Sequence, residues 1–205
     1  MNLPPVLTPG MLDVLRELMN IGVGRAARAI AELSGREVVL RVIDIEEGAL
    51  TDPRQLADLP GQINVRVSQR FDGGIKGYGF FLLTRNGAVR LAQLVLGQAD
   101  DDVALAELDQ GALLELGNIV VGSAVGMLAS ELAVEVRYEL PQLELRGTKE
   151  VGDLFADITP GDPTTALVMG SSLSLRDDVV HGYLVLFFSG TELPALADRL
   201  APLAP

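Results

Sequence analysis

The sequence predicts a mixed α/β (α+β) fold: a single domain with pseudo-two-fold symmetry, in which a six-stranded, mostly antiparallel sheet is packed by two long helices plus shorter helices. The first observation behind this is an internal repeat. Aligned without a gap at an offset of 98, residues 11–38 and 109–136 agree at 11 of 28 positions, among them Glu17 with Glu115, Asn20 with Asn118 and Gly24 with Gly122. Farther on, Ile75-Lys76-Gly77-Tyr78 and Leu91-Ala92 return as Val180-His181-Gly182-Tyr183 and Leu196-Ala197 at an offset of 105. The second observation is that each half reads helix, three strands, helix. The third is that three strands with one apolar face are marginal alone, so a sheet shared by both halves is the economical solution. The domain thus covers residues 1–205, with repeats at roughly 9–97 and 103–202 and a net insertion of seven residues in the second, around Arg146 to Pro163.

Met1 to Thr8 is a proline-containing lead-in, and Thr8-Pro9 supplies an N-cap followed by proline at the first helical position. Leu12, Leu15, Met19, Val23, Ala26, Ile30 and Leu33 follow at spacings of three and four, the stripe of an amphipathic helix, and Gly35 ends it. Val38 to Ile45 is rich in β-branched residues and reads as a strand. After a polar connection closed by Leu59-Pro60-Gly61, a second strand alternates Ile63, Val65 and Val67 with Asn64, Arg66 and Ser68. Asp72-Gly73-Gly74 is a hairpin signal leading to a strand over Ile75 to Leu83, and Arg85 to Leu96 returns to helical spacing. Gly97 to Asp102 is the seam between halves. Its Asp100-Asp101-Asp102 run lacks the glycine and glutamate that complete a calcium loop, so it reads as a solvated linker and helix cap. The second half repeats the order: a long helix from about Ala104 to Leu132, strands at Val134 to Leu140, Thr165 to Leu175 and Val179 to Phe188, and a closing helix over Leu193 to Leu200.

The chain has no cysteine and one histidine, His181. Disulfides, thiolate zinc sites, cysteine nucleophiles and histidine-based triads are therefore excluded or starved of residues. A formal charge of −12, with 16 basic residues spread singly, argues against nucleic acid, whose binding rests on clustered Lys and Arg. The N-terminus lacks the regions of a signal peptide, and the longest uncharged run, Leu116 to Ser130, is too short for a bilayer span. The expected setting is soluble and cytoplasmic, with no membrane span.

The polar residues of the first helix carry the chemistry. Asp13, Glu17 and Asn20 sit at i, i+4 and i+7, within an arc of roughly 60° on the helix and roughly 120° from the centre of the apolar stripe. Gly24, Ala27 and Ala31 continue that face, as Gly122, Val125 and Ala129 do beyond Glu115 and Asn118. The expected surface is a carboxylate and a carboxamide at one end of a smooth track that another protein can approach. A single Glu-x-x-Asn is more often a solvated helix face. A mid-helix Asn beside Gly22 and Gly24, however, costs helical stability with no evident structural return.

Asp13-x-x-x-Glu17-x-x-Asn20 and Glu115-x-x-Asn118, with Pro141 after 22 intervening residues, resemble the active-site pattern of the CheC/CheX/FliY chemotaxis phosphatases, with the two tandem sites of the CheC branch. The segments Asn20 to Gly24 and Phe81 to Gly97 add to the likeness. The resemblance implies a hydrolase acting on the aspartyl phosphate of the response regulator CheY. Asn20 and Asn118 would orient the attacking water, and Glu17 and Glu115 would pair with the regulator's lysine. Asp13, Gly24, Gly122 and Pro141 would support or dock. It implies no cofactor of the chain's own, Mg2+ being held by the regulator, and a CheD-like deamidase as a second partner. Two positions depart from the pattern: Ile43 where proline is expected in the first copy, and Gly111 where Asp or Ser is expected in the second. The competing implication is a non-catalytic scaffold that docks a regulator, a CheD-like deamidase or the flagellar switch.

Overall fold

The computed structural model describes residues 6–49, 63–96, 110–145, 165–175, 178–188 and 192–204. The element order is α1 (Pro9–Ser34), β1 (Val38–Ala49), β2 (Ile63–Gly73), β3 (Gly77–Thr84), α2 (Arg85–Leu96), α3 (Gln110–Glu131), β4 (Val136–Tyr138), β5 (Gln142–Leu145), β6 (Thr165–Leu175), β7 (Asp178–Phe188) and α4 (Glu192–Leu200), with a short 3-10 turn at Ala201–Leu203. The linker at 97–102, the expected helix start at Ala104, the Leu59-Pro60-Gly61 connection and the insertion around 146–163 lie outside the described residues.

Helix α1 begins and ends where its cap residues dictate. Thr8 has extended backbone angles and its Oγ1 accepts from the Met11 N–H at 3.3 Å, Pro9 occupies the first turn, and Gly35 closes the helix at φ 66° with its N–H on the Ala31 carbonyl. The repeat reproduces this stop with a costlier residue. Ala133, 98 positions after Gly35, adopts the same left-handed conformation at φ 52° just beyond α3.

Among the described residues the sheet has seven strands rather than the six expected. All neighbouring strands run antiparallel in the order β1-β6-β7-β3-β2-β4, and β5 also pairs with β2. The extra strand arises because the one expected at Val134 to Leu140 is shorter than expected and is followed, past a break at Pro141, by β5. Between the pairs Phe71↔Tyr138 and Ser68↔Gln142, three residues, 139–141, pass opposite two, 69–70. Proline has no N–H to give a ladder and is tolerated at such a bulge. The first half carries the equivalent irregularity without the proline: pairing shifts between Val42↔Ser171 and Asp44↔Gly170, leaving Ile43 as the extra residue, 98 positions before Pro141.

Strand pairing interlocks the halves. β1 pairs with β6 of the other half, and β4 and β5 pair with β2. At the centre β3 lies on β7, where Tyr78↔Phe187 and Leu82↔Tyr183 are exchanged by a shift of 105. Neither half completes its sheet without the other.

The two long helices cross each other over this sheet. Their buried faces, including Leu15, Met19, Val23 and Ile30 of α1 and Leu113, Leu116, Val120 and Val121 of α3, join Val65, Val67, Phe71, Phe81, Leu184 and Phe188 in one core. The crossing is close because Gly22 has no side chain. A Cβ there would stand 2.9 Å from the Ala124 Cα and 3.0 Å from the Ser123 carbonyl oxygen. Against the sequence expectation, α3 is long and apolar enough to cross a membrane, at 22 residues and a hydropathy of 1.7 over its most apolar window. That window is 61% buried within the protein, where α1 and the sheet cover it.

One residue departs from the alternation in β2. Arg66 belongs to the polar set yet is only 3% exposed, because Glu144 of β5 pairs with its guanidinium and the Phe80 ring lies 5.7 Å from it.

Candidate active site

The outer face of α1 presents Asp13, Glu17, the half-buried Asn20 and Gly24, and that of α3 presents Glu115, Asn118 and Gly122. Glu17 and Glu115 are exposed and form no ion pair among the described residues, so each is available to a cation on another molecule. Asp13 is committed locally, 2.7 Å from Arg16 Nη1. A Cβ added at Gly24 or at Gly122 would meet nothing within 4 Å, as clearance for an approaching surface requires.

The smooth track expected beyond the glycines does not form. Ala27 and Ala129 are each 6% exposed and Val125 is fully buried. β1 returns along α1 in the first copy, and in the second the chain turns back so that the Val134 N–H donates to the Ala129 carbonyl at 2.9 Å. The polar faces therefore stop at Gly24 and Gly122.

The two asparagines sit in corresponding places but are held differently. Asn20 is occupied at both ends of its carboxamide: Nδ2 donates to the Arg16 carbonyl at 3.0 Å, and Oδ1 accepts from the Val42 N–H at 3.0 Å. Val42 is the last paired residue before the β1 bulge, so Asn20 pins the irregularity to the helix. Replacing Asn20 with alanine should therefore cost about 1–3 kcal/mol, the penalty for stranding a buried backbone donor. Denaturant titration measures this, and an unchanged midpoint would contradict the pinning role.

In the second copy Asn118 Oδ1 accepts from Gln69 Nε2 at 2.9 Å, and the same nitrogen donates to the Glu139 carbonyl at 3.0 Å. Asn118 Nδ2 has no hydrogen-bond partner among the described residues. Pro141 is half-buried at the bulge that follows, and Leu140 beside it is 88% exposed. Tyr138 leans onto α3, its hydroxyl 3.4 Å from the Gly122 carbonyl, and burial raises its phenol pKa, which keeps the donor proton in place.

Gln69 is the site residue that the motif does not contain. The signal for it is in β2, where the apolar row Val65, Val67 and Phe71 is interrupted by Gln69 at 3% exposure. Its Oε1 is buried without a partner, which costs about 1–3 kcal/mol and asks for a compensating role.

Chemically, each site offers a carboxylate and a carboxamide one helical turn apart. A carboxamide has a donor and an acceptor in fixed geometry and does not titrate, which suits it to holding a water or a phosphoryl oxygen.

The model of the CheC-like family matches residues 11–45, which span α1, with Glu17 and Asn20, and most of β1. The protein described as CheY-P phosphatase CheC, from Bacillus subtilis, is 29% identical over 140 residues, covering 65% of this chain and 66% of that relative. Among solved structures, Thermotoga maritima FliY superposes with a TM-score of 0.76 at 23% identity, covering 97% of this chain and 99% of that one. A chain of the CheX–CheY–BeF3–Mg2+ complex from Borrelia burgdorferi superposes with a TM-score of 0.52 at 17% identity, covering 85% and 99%. The chain is thus similar to the CheC-like family in its motif-bearing helix, to the Bacillus subtilis CheC over 66% of that relative's length, and to FliY in its fold.

Proposed function

We propose that this chain is a phosphatase that hydrolyses the aspartyl phosphate of a CheY-type response regulator through the Glu/Asn pairs on α1 and α3. The observation that carries the reading is Asn118, held at its oxygen end, with an unpartnered Nδ2 among the described residues and the exposed Glu115 one turn away. Support also comes from the relative described as a CheY-P phosphatase and from the complex of CheX with CheY.

The chemistry asks little of the enzyme. An acyl phosphate carries a good leaving group, and the regulator brings its own Mg2+ and lysine, so the phosphatase has to place a water in line. Asn118 orients that water; in the first copy Asn20 does so only through the Nδ2 proton that the Arg16 carbonyl leaves over, and no cofactor of this chain takes part. Glu17 and Glu115 pair with the regulator's lysine and fix the docking, with Asp13 as a supporting charge through Arg16. We read the halves as copies of one unit, because both bulges and the central strand pairs map onto each other at the offsets found in the sequence. The setting is the cytoplasm, where such regulators act.

Gly24 and Gly122 serve as clearance for the regulator, and Pro141 shapes the bulge beside the second site. Replacing Gly122 with leucine should raise KM for the phosphorylated regulator about tenfold, the usual cost of a side chain wedged into a docked surface. A Cβ has open space there, so the variant should be no less stable than the parent, with up to about 1 kcal/mol gained from helix propensity. Steady-state kinetics with calorimetry tests both halves of that statement.

The second reading is a docking scaffold for a regulator, a CheD-like deamidase or the flagellar switch. Its specific support is Asn20, whose carboxamide is committed to the protein itself. Turnover separates the readings: phosphate loss from the regulator must accelerate with this chain present and stop when both Asn20 and Asn118 are alanine.

A further inference from the structure

We propose that Gln69 is a positioning residue that sets which end of the Asn118 carboxamide faces the reacting phosphate. The inference rests on the phosphatase reading but has its own observations. The Glu139 carbonyl can only accept, so the end of Gln69 that reaches it at 3.0 Å is the amide nitrogen. The second proton of that nitrogen points to Asn118 at 2.9 Å, which must therefore turn its oxygen inward. Asn118 Nδ2 is left facing away from Gln69, as a donor for water or phosphoryl oxygen. One backbone carbonyl thus fixes the polarity of two successive amides. Gln69 is 3% exposed, and its Oε1 is stranded, so the arrangement is kept at a cost in desolvation. The first site takes another route, with the Val42 backbone N–H holding Asn20 Oδ1 directly.

The test is Gln69→Glu in the full chain, with Asn20→Ala added so that only the second site reports. An ionised glutamate cannot donate, so at a pH above the ionisation of this buried carboxyl Asn118 must reverse and give its own N–H inward. Side-chain amide hydrogen exchange reads this without any assay of activity. In the parent protein the Gln69 amide protons exchange slowly and those of Asn118 quickly; in Gln69→Glu those of Asn118 become slow. Kinetically, kcat falls roughly tenfold to a hundredfold with KM unchanged, the expected cost of a misdirected group at the reacting centre. Gln69→Met, which keeps the length and removes all donors, serves if the glutamate variant does not fold. It frees Asn118 to adopt both orientations, shown by an Asn118 amide pair that stays fast and a kcat between parent and glutamate variant. Unchanged exchange at Asn118 in Gln69→Glu overturns the proposal, and so does reversal of exchange with kcat intact. Reversal of exchange in a protein whose parent never accelerates phosphate loss upholds the orientation and removes the phosphatase reading instead.

Discussion

Replacing Asn118 with alanine should lower the rate of phosphate loss at the second site roughly a hundredfold, in the range seen when one aligned donor is removed from an active site. The fold should survive, because Gln69 Nε2 keeps its bond to the Glu139 carbonyl and no backbone group is stranded. That separates Asn118 from Asn20, whose loss strands the Val42 N–H. The single variants should therefore differ in kind: Asn118→Ala mainly in turnover and Asn20→Ala in both turnover and stability. The larger share of activity should disappear with Asn118, since the amide of Asn20 is engaged at both ends within the protein. Single-turnover decay of the phosphorylated regulator, measured for each variant beside its unfolding midpoint, gives both quantities.

Placing leucine at Gly22 should destabilise the protein by forcing the two long helices apart. The new Cβ would fall 2.9 Å from the Ala124 Cα, a backbone atom that cannot rotate away, and 3.2 Å from the Met127 Cβ. The long helices must part, at a typical overpacking cost of about 1–3 kcal/mol or more, of which about 1 kcal/mol returns as better helix propensity. Since α1 and α3 carry the two sites, parting them also disturbs the interlocked sheet beneath. The expected result is a clear fall in the midpoint of thermal or denaturant unfolding. An unchanged midpoint would show that the helices do not cross at this glycine.

Features set by neighbouring residues were legible in the sequence. Thr8-Pro9 and Gly35 mark the ends of α1, and the spacing from Arg85 to Leu96 and the run from Thr165 to Leu175 correspond to α2 and β6. The Glu/Asn pairs stood out because the repeat displays them twice. What was not legible depends on partners far along the chain. Arg66 is buried because Glu144, 78 positions away, meets it, and Gln69 reaches Asn118 across 49 positions. Alternation alone assigns Arg66 to solvent, since a local pattern carries no record of a distant counter-charge. The split of β4 from β5 falls at Pro141, and a proline in a strand pattern does not show how the partner strand accommodates it. The bulge at Ile43 shows that the local geometry does not depend on proline, so the first copy keeps the shape of the motif without its residue. The buried Ala27, Val125 and Ala129 mark the limit of helical-wheel reasoning: it orders residues around one helix and says nothing of the strand that returns alongside.

Hydrolysis of an aspartyl phosphate by the Glu/Asn faces is tested most directly by following phosphate release from a phosphorylated CheY-type regulator of the same organism. The comparison is between the parent chain and the Asn20→Ala, Asn118→Ala double variant, at matched and verified folding. The phosphatase reading predicts accelerated release with the parent and release at the regulator's own rate with the double variant. Equal release with both proteins would contradict it and leave the chain a docking scaffold.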